Sequence, residues 1–421
     1  MRVSERTHAA MRLVFAFLPF WAFLALYQFA AALHYSLLSP LGERLLPLWI
    51  VGLIIGGESF GQMLLDVPAG FLVDRFGRKR MLMIGWVAFV IAAAFFLHFT
   101  LATFIASVVM STFGWLFFSP GANAYVLSYA THETSGRFIA LRDTFLSVGT
   151  VLASVALPFV LHAVPAMMGV ILIMILASSF VALVLAPPDK PVGHGMHTLP
   201  AEPYHIRRTA LLKTLRALAR LNPASGMLCA YSFAGAIFYG AIWFVVPLVI
   251  AMQVNAAWLG VGLGIFDFSI VVLGVFIGAL VDRSNKRTLV FWGLLIFTLM
   301  GMILGATLGP LFLLFGFLAT TGDETAGLSL WSWLHSLDKD HAHDGAVAGA
   351  ISFASDFGYA FGPVLAGFLY VALGPGWTIA VCAIPLFISW LAYTFIVHPR
   401  HVMAVLPSAL IPTMPHRRRH K

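Results

Sequence analysis

Charge is what this sequence has least of. Asp, Glu, Lys and Arg make up 10% of its 421 residues, where a soluble globular domain carries roughly 25%. That excludes a fold wrapped in a charged, solvated surface. Cysteine is nearly as scarce: Cys229 and Cys382 are the two, and both sit inside apolar runs, which excludes a disulfide framework and leaves the redox compartment open. There is no Walker loop and no zinc signature, so neither ATP-driven transport within this chain nor a metal or other cofactor site is expected, and no enzyme activity is expected. The strings HAHDG at 341–345 and GHGMH at 193–197 fall in stretches read below as loops and are not taken as a metal site.

Apolar residues are what is abundant: 60% of the chain, with mean hydropathy +0.93. A helix needs about 20 apolar residues to cross the hydrocarbon core. Runs of that kind lie near 12–38, 46–72, 80–99, 102–130, 138–161, 166–186, 225–252, 257–281, 288–307, 310–336, 345–372 and 377–397. The first is too long for a signal-peptide core and is read as a retained span. The sequence thus predicts an all-α, polytopic membrane protein with twelve transmembrane helices.

The net charge of +8 belongs to this topology and not to nucleic-acid binding. With loops assigned alternately to two sides, one side receives Arg2, Arg6, Arg12, Arg75 to Arg80, Arg137, the basic residues between 207 and 220, Arg283, Lys286, Arg287 and the terminal RRRHK, while the other receives only Arg44. Basic loops stay cytoplasmic, so both termini are placed inside, in a plasma membrane. The even span count this requires agrees with the hydropathy.

The chain is also written twice. GFLVDRFGRKR at 70–80 returns as GALVDRSNKR at 278–287, with Gly70 and Gly278, Asp74 and Asp282, and Arg75 and Arg283 each separated by the same shift. Gly114 and Gly322 keep it, and Gly136 with Gly345 and Gly149 with Gly358 differ from it by one residue. Such an internal repeat predicts two pseudo-symmetric six-helix bundles, at 1–188 and 225–421, the second ending in the basic tail. The linker at 189–224 follows PPDKP, which cannot continue a helix, and contains HIRRTALLKTLRALARL, whose leucines and basic residues alternate as in an amphipathic helix on the inner leaflet.

An ionisable side chain at the bilayer centre costs about 2.5–3.5 kcal/mol on insertion scales, so each is a functional candidate. Mid-span positions hold Glu58 in the second span, Asp267 in the eighth, Asp323 and Glu324 in the tenth and Asp356 in the eleventh. The adjacent pair Asp323 and Glu324 projects about 100° apart, and two acids side by side in a low dielectric suit the loading and unloading of a proton. Asp66, Gly70 and Asp74 share a helical face at i, i+4 and i+8, which assigns Asp66 to a cytoplasmic latch formed with the loop beyond it and not to the substrate. Arg142 and Asp143, about a turn inside the fifth span, are adjacent and therefore expected to pair poorly; a gate contact to the eighth span is expected. Polar and aromatic candidates for a cavity are Tyr27, Gln28, His34, Asn123, Tyr125, Tyr231, Tyr239, Trp243 and Trp331. They describe an aromatic, acid-containing pocket without buried Arg or Lys, suited to amphipathic or cationic organic molecules.

In its repeated phrase, its twelve spans and its central basic loop the chain resembles the major facilitator superfamily, and among it the drug and metabolite exporters. The pattern G-x-x-x-D-R-x-G-R-[RK] is met at Gly70, Asp74, Arg75, Gly77, Arg78 and Lys79; the second copy keeps Gly278, Asp282 and Arg283 but has Asn285 in place of the glycine. The resemblance implies a conformational latch. Gly70 lets a helix approach closely, Asp74 meets the N-terminal end of the eleventh helix around Asp344 and Gly345, Gly77 permits the turn, and Arg75 and Arg78 pair with Glu133. It also implies that the third, sixth, ninth and twelfth helices support the rest from the lipid side; these four carry no acidic or basic residue in their interiors.

The chain departs from the family's drug and proton antiporters in having no arginine in the fourth span, near Met110, and no Gly-Pro in the fifth, whereas FGPVLAG stands at 361–367 in the eleventh. The implied function is secondary active transport of a small organic solute by alternating access, as proton-coupled export of an amphipathic compound. Metabolite symport and a non-transporting membrane sensor are the alternatives. The implied partners are substrate, protons or another coupling ion, and the bilayer, with the monomer as the working unit.

Overall fold

The computed structural model describes residues 15, 17–129, 135–189, 223–252, 257–337 and 344–397. Among these there are helices and no strands. Before the central segment come α1 Leu18–Glu43, α2 Leu48–Phe76, α3 Arg78–Ala94 with a 3-10 turn at Phe95–His98, α4 Leu101–Tyr129, α5 Ser135–Val160 and α6 Pro165–Leu185; after it come α7 Pro223–Met252, α8 Ala257–Arg283, α9 Lys286–Ala306, α10 Leu311–Leu337, α11 Asp344–Cys382 and α12 Ile384–Ala392, closed by a π turn at Tyr393–Val397.

Nine described helical stretches are long and apolar enough to cross a membrane, or ten if the bent pair Trp258–Gly274 and Phe276–Arg283, at 55°, is one span. One of the nine, Ala350–Phe395, is 46 residues long, enough for two crossings. It is divided at Gly374, whose φ of 76° is open to glycine and strained for other residues. The helix α10 is not among them because Asp323 and Glu324 occupy its middle. The first helix runs past the expected end at 38, through Pro40, to Glu43.

The repeat acquires a physical meaning in the close helix crossings. A Cβ on Gly85 of α3 would stand 2.8 Å from the carbonyl oxygen of Gly114 on α4, and one on Gly293 of α9 would stand 2.9 Å from that of Gly322 on α10. Gly149 of α5 presses on Ala25 of α1 and Gly358 of α11 on Phe233 of α7, each with a hypothetical Cβ 2.4 Å from the carbonyl oxygen. Membrane helices associate through packing of small residues, since lipid tails are as apolar as leucine. The same two crossings therefore recur in each half at the repeat's shift.

Between the halves, contact is concentrated at one end. A Cβ on Gly52 or Gly56 of α2 would stand 2.3 or 2.2 Å from the carbonyl oxygens of Pro363 or Ala360 on α11, and one on Gly260 of α8 would stand 2.5 Å from that of Ser154 on α5. Trp49 stacks on Phe368 with ring centroids 5.6 Å apart, and the Ser39 hydroxyl of α1 donates to the Phe244 carbonyl of α7 at 2.8 Å. All of these lie at the helix ends away from the basic phrases. Toward those phrases, a Cβ on Gly274 or Gly278 of α8 would meet nothing within 4 Å.

Candidate functional site

A cavity of about 370 Å³ lies between the halves, lined by Gln28, Ala31, Ala32 and Tyr35 of α1, Glu58, Ser59 and Gln62 of α2, Trp115 of α4, Thr150 of α5, Trp243 of α7, Asp267 of α8, and Asp356 and Tyr359 of α11. Helical spacing explains the set. Gln28, Ala31, Ala32 and Tyr35 form one stripe at i, i+3, i+4 and i+7, and Glu58 with Gln62, like Asp356 with Tyr359, stand one turn apart. Tyr35 and Trp243 occupy equivalent places in the repeat, as do Ser59 and Asp267, and Thr150 and Tyr359. Aromatic walls are thus matched between the halves, while the carboxylates are not.

Three of the five mid-span acids meet in this cavity. Glu58 is 3% exposed; its Oε1 accepts from the Ser111 hydroxyl of α4 at 3.0 Å, and its buried Oε2 has no hydrogen-bond partner. Asp267 accepts from Ser147 of α5 at 3.3 Å. Asp66 and Asp356 stand close enough for their carboxyl groups to interact. Asp66 thus lies beside α11, two turns before Asp74 on α2.

Asp323 and Glu324 are not lining residues. Asp323 is held inside the second half, where its Oδ2 accepts from the Tyr239 hydroxyl at 2.7 Å and its Oδ1 from the Tyr231 hydroxyl. Glu324 stands near enough to feel the charges of Asp323, Asp267 and Asp143. Two of the expected cavity tyrosines, Tyr231 and Tyr239, therefore serve Asp323.

Other expected cavity residues point elsewhere. Tyr27 is fully buried and stacks on Phe118 with centroids 3.9 Å apart. His34 bonds Ser107 at 2.8 Å and stacks on Phe96. The reason is rotation: both precede a lining residue, Gln28 or Tyr35, by one position, and 100° on α1 turns them into α3 and α4. Tyr125 stacks on Phe20 and donates to the Pro187 carbonyl at 2.6 Å. Asn123 is half-buried outside the cavity and Trp331 is 45% exposed. Gln28 and Trp243 do line it. The poor pairing expected of Arg142 and Asp143 is corrected. Arg142 folds back on its neighbour, with Nη2 2.6 Å from Asp143 Oδ1, because its long side chain reaches round a partly exposed helix face.

At the signature loop, Gly77 takes φ 93° and separates α2 from α3. The first turn of α3 is capped by Asp189, just beyond α6, whose Oδ2 accepts the backbone N–H groups of Arg78 and Lys79 at 2.9 and 3.4 Å. The Arg78 guanidinium is 3.7 Å from the same carboxylate, and Lys79 Nζ donates to the Ala186 carbonyl at 2.8 Å. Arg78 was expected to meet Glu133; Glu133 lies outside the described residues, as do the surroundings of Gly70 and the side chain of Asp74. Arg75 sits 5.6 Å over the Phe76 ring. In the second copy Asn285 replaces the glycine by capping: its Oδ1 accepts the Arg287 N–H at 3.1 Å. Asp282 and Arg283 are exposed.

Sequence reasoning missed Tyr35, Ser59, Gln62, Trp115, Thr150, Tyr359 and Asp189. Helical spacing from the buried acids points to Gln62 and Tyr359, and the repeat links Tyr359 to Thr150. The string GESFG at 57–61 has the spacing of a nucleophile elbow, but it lies inside the continuous helix α2, without the strand-to-helix turn that exposes such a serine.

The family model described as Major Facilitator Superfamily matches residues 10–358. No curated protein matches the chain. Among solved structures, the chain is similar to a bacterial homolog of the human lysosomal transporter Spinster in its inward-facing, unoccupied conformation, with TM-score 0.69 and 15% identity over 90% of this chain and 96% of that one. The occupied form of that homolog gives 0.68, also at 15% identity and over 90% and 96% of the chains. A D-xylose–proton symporter gives 0.63 at 14% identity over 90% and 97%. At these identities the likeness is one of fold.

Proposed function

We propose a transport cycle for this chain, which belongs to the Major Facilitator Superfamily and is, with that family, a transporter and a multi-pass membrane protein. It moves a small organic solute by alternating access, with substrate bound between the two bundles, 1–188 and 225–421, and with export coupled to protons carried by one or more of Glu58, Asp267, Asp323, Glu324 and Asp356. The observation that carries this reading is the cavity itself: it lies at mid-helix, takes its walls from both halves, and gathers three carboxylates where the bilayer would otherwise exclude them.

The closed end of the bundle, at Gly52, Gly56 and Gly260, is the outer one if the basic phrases are cytoplasmic, which makes this state inward-facing, with both termini in the cytoplasm of a cell whose plasma membrane holds the protein as a monomer. Rocking one bundle on the other would part those glycine crossings and bring the ends bearing Asp74, Arg75 and Gly278 together, engaging the latch. Arg142 and Asp143 guard the route between cavity and cytoplasm.

Proteoliposomes loaded with a pH-sensitive dye test the reading. Addition of a transported solute under an imposed proton gradient produces solute-dependent proton flux, and its direction separates export from symport. Saturable binding without flux of solute or proton in either direction overturns transport in favour of a membrane sensor.

A further inference from the structure

We infer that the central cavity takes a protonated primary or secondary amine carried on a flat apolar body. This rests on the transporter reading for its movement, but not for its binding.

Three observations converge on that class. First, the wall carries Glu58, Asp267 and Asp356, and no lysine or arginine; the cation a helical turn inside α5, Arg142, is already held by Asp143. An anionic solute would enter a field of its own sign, and a neutral one would leave the carboxylates unanswered. Second, aromatic residues stand on both sides of the cavity, with Tyr35 of α1 and Trp243 of α7 at equivalent positions of the repeat. Their ring faces attract a cation and accept a flat hydrocarbon body.

Third, two acceptors on this wall lack donors. Glu58 Oε2 and Gln28 Oε1 are buried without a hydrogen-bond partner, although Glu58 is 97% buried, being 3% exposed. The Ser111 hydroxyl serves the other oxygen, Glu58 Oε1, and Gln28 Nε2 donates to Thr150 at 3.1 Å, so neither of these bonds reaches the two bare acceptors. Leaving such acceptors unpaired is costly, which favours a ligand that brings N–H donors. An ammonium group with hydrogens supplies both charge and donors, whereas a quaternary ammonium supplies charge alone. The cavity volume of about 370 Å³ lies within the usual range for small-molecule pockets.

Titration calorimetry on the purified, detergent-solubilised full chain decides the matter with four probes of one shape: 2-phenylethylammonium, its N,N,N-trimethyl analogue, 2-phenylethanol and phenylacetate. The expected order places 2-phenylethylammonium first, the trimethyl analogue and the alcohol at least tenfold weaker, and phenylacetate without saturable binding. Glu58→Gln should weaken 2-phenylethylammonium at least tenfold and narrow its advantage over the alcohol; Asp267→Asn gives the same comparison if the first variant does not fold. Equal binding of the alcohol or phenylacetate, absence of saturable 2-phenylethylammonium binding, or an unchanged order in the folded variant overturns the inference. Binding is read without a membrane gradient. Selective ammonium binding without flux therefore defeats the transport reading alone, and proton-linked flux of phenylacetate with no ammonium binding defeats this inference alone.

Discussion

Ser147 of α5 and Asp267 of α8 are joined by a hydrogen bond of 3.3 Å across the boundary between the halves. A carboxylate that lines the cavity is thereby steadied by the opposite bundle. In the repeat, Asp267 corresponds to Ser59 and Ser147 to Asp356, so a serine and an aspartate stand at equivalent positions on both sides of the pseudo-axis with their helices exchanged.

Removing the two members should have unequal effects. Asp267→Asn takes away a cavity charge and is expected to lower proton-driven transport at least tenfold while the protein still folds. Ser147→Ala removes only a donor, and interhelical hydrogen bonds in membranes average about 0.6 kcal/mol, so solute affinity should change about threefold or less. Transport and binding assays on both variants in proteoliposomes check this; equal losses would mean that the contact matters as an interface and the charge does not.

Asp189 should matter to stability more than its position at the start of the linker suggests. Its carboxylate caps α3 through the N–H groups of Arg78 and Lys79, and removing a side-chain cap costs about 0.5–2 kcal/mol. Asp189→Ala is expected to lower the thermal midpoint in detergent by a few degrees. Asp189→Asn, which keeps an acceptor and loses the charge facing Arg78, should lose less. Equal midpoints for the wild type and the alanine variant would show that the loop holds its shape without the cap.

How much of this was legible in the sequence depends on which physical signal each feature leaves. The twelve helical crossings and the buried acids were legible, because an acid amid apolar residues stands out whatever the fold does. Which face of α1 lines the cavity was not: Tyr27 and Gln28, or His34 and Tyr35, differ by 100° of rotation, and a helix apolar nearly all round has no polar stripe to set the angle. The roles of Tyr231 and Tyr239 as donors to Asp323, and of Asp189 as a cap, join residues between 84 and 111 positions apart and needed the helices to be placed. Equivalent glycines did announce themselves through the repeat, though not which of them would touch.

The glycine crossings at the closed end make a sharp steric test. Gly56→Val should place a side chain against the Ala360 carbonyl, whose oxygen would be 2.2 Å from its Cβ, and hold α2 away from α11. Its neighbour Gly57 meets nothing within 4 Å, so Gly57→Val serves as the control. In a background carrying Trp49→Cys and Phe368→Cys, oxidative cross-linking across the Trp49–Phe368 contact is expected to fall with Gly56→Val and to persist with Gly57→Val. Unchanged cross-linking in both would show that the backbones need not approach so closely for that end to close.

Asp323 poses the last question, because it is the acid most fully served by hydrogen bonds and yet it does not line the cavity. Tyr231 and Tyr239 both donate to it, and Glu324 stands beside it on α10. If Asp323 relays protons, Asp323→Asn should reduce gradient-driven transport at least tenfold and leave gradient-free exchange of solute across the membrane within about threefold. Tyr239→Phe removes one of two donors and should fall between the wild type and Asp323→Asn. The alternative, a purely structural tie between α7 and α10, predicts that Asp323→Asn lowers exchange and gradient-driven transport together, along with the thermal midpoint. Measuring the three quantities on one preparation separates the two roles, since a relay spares exchange and a tie does not.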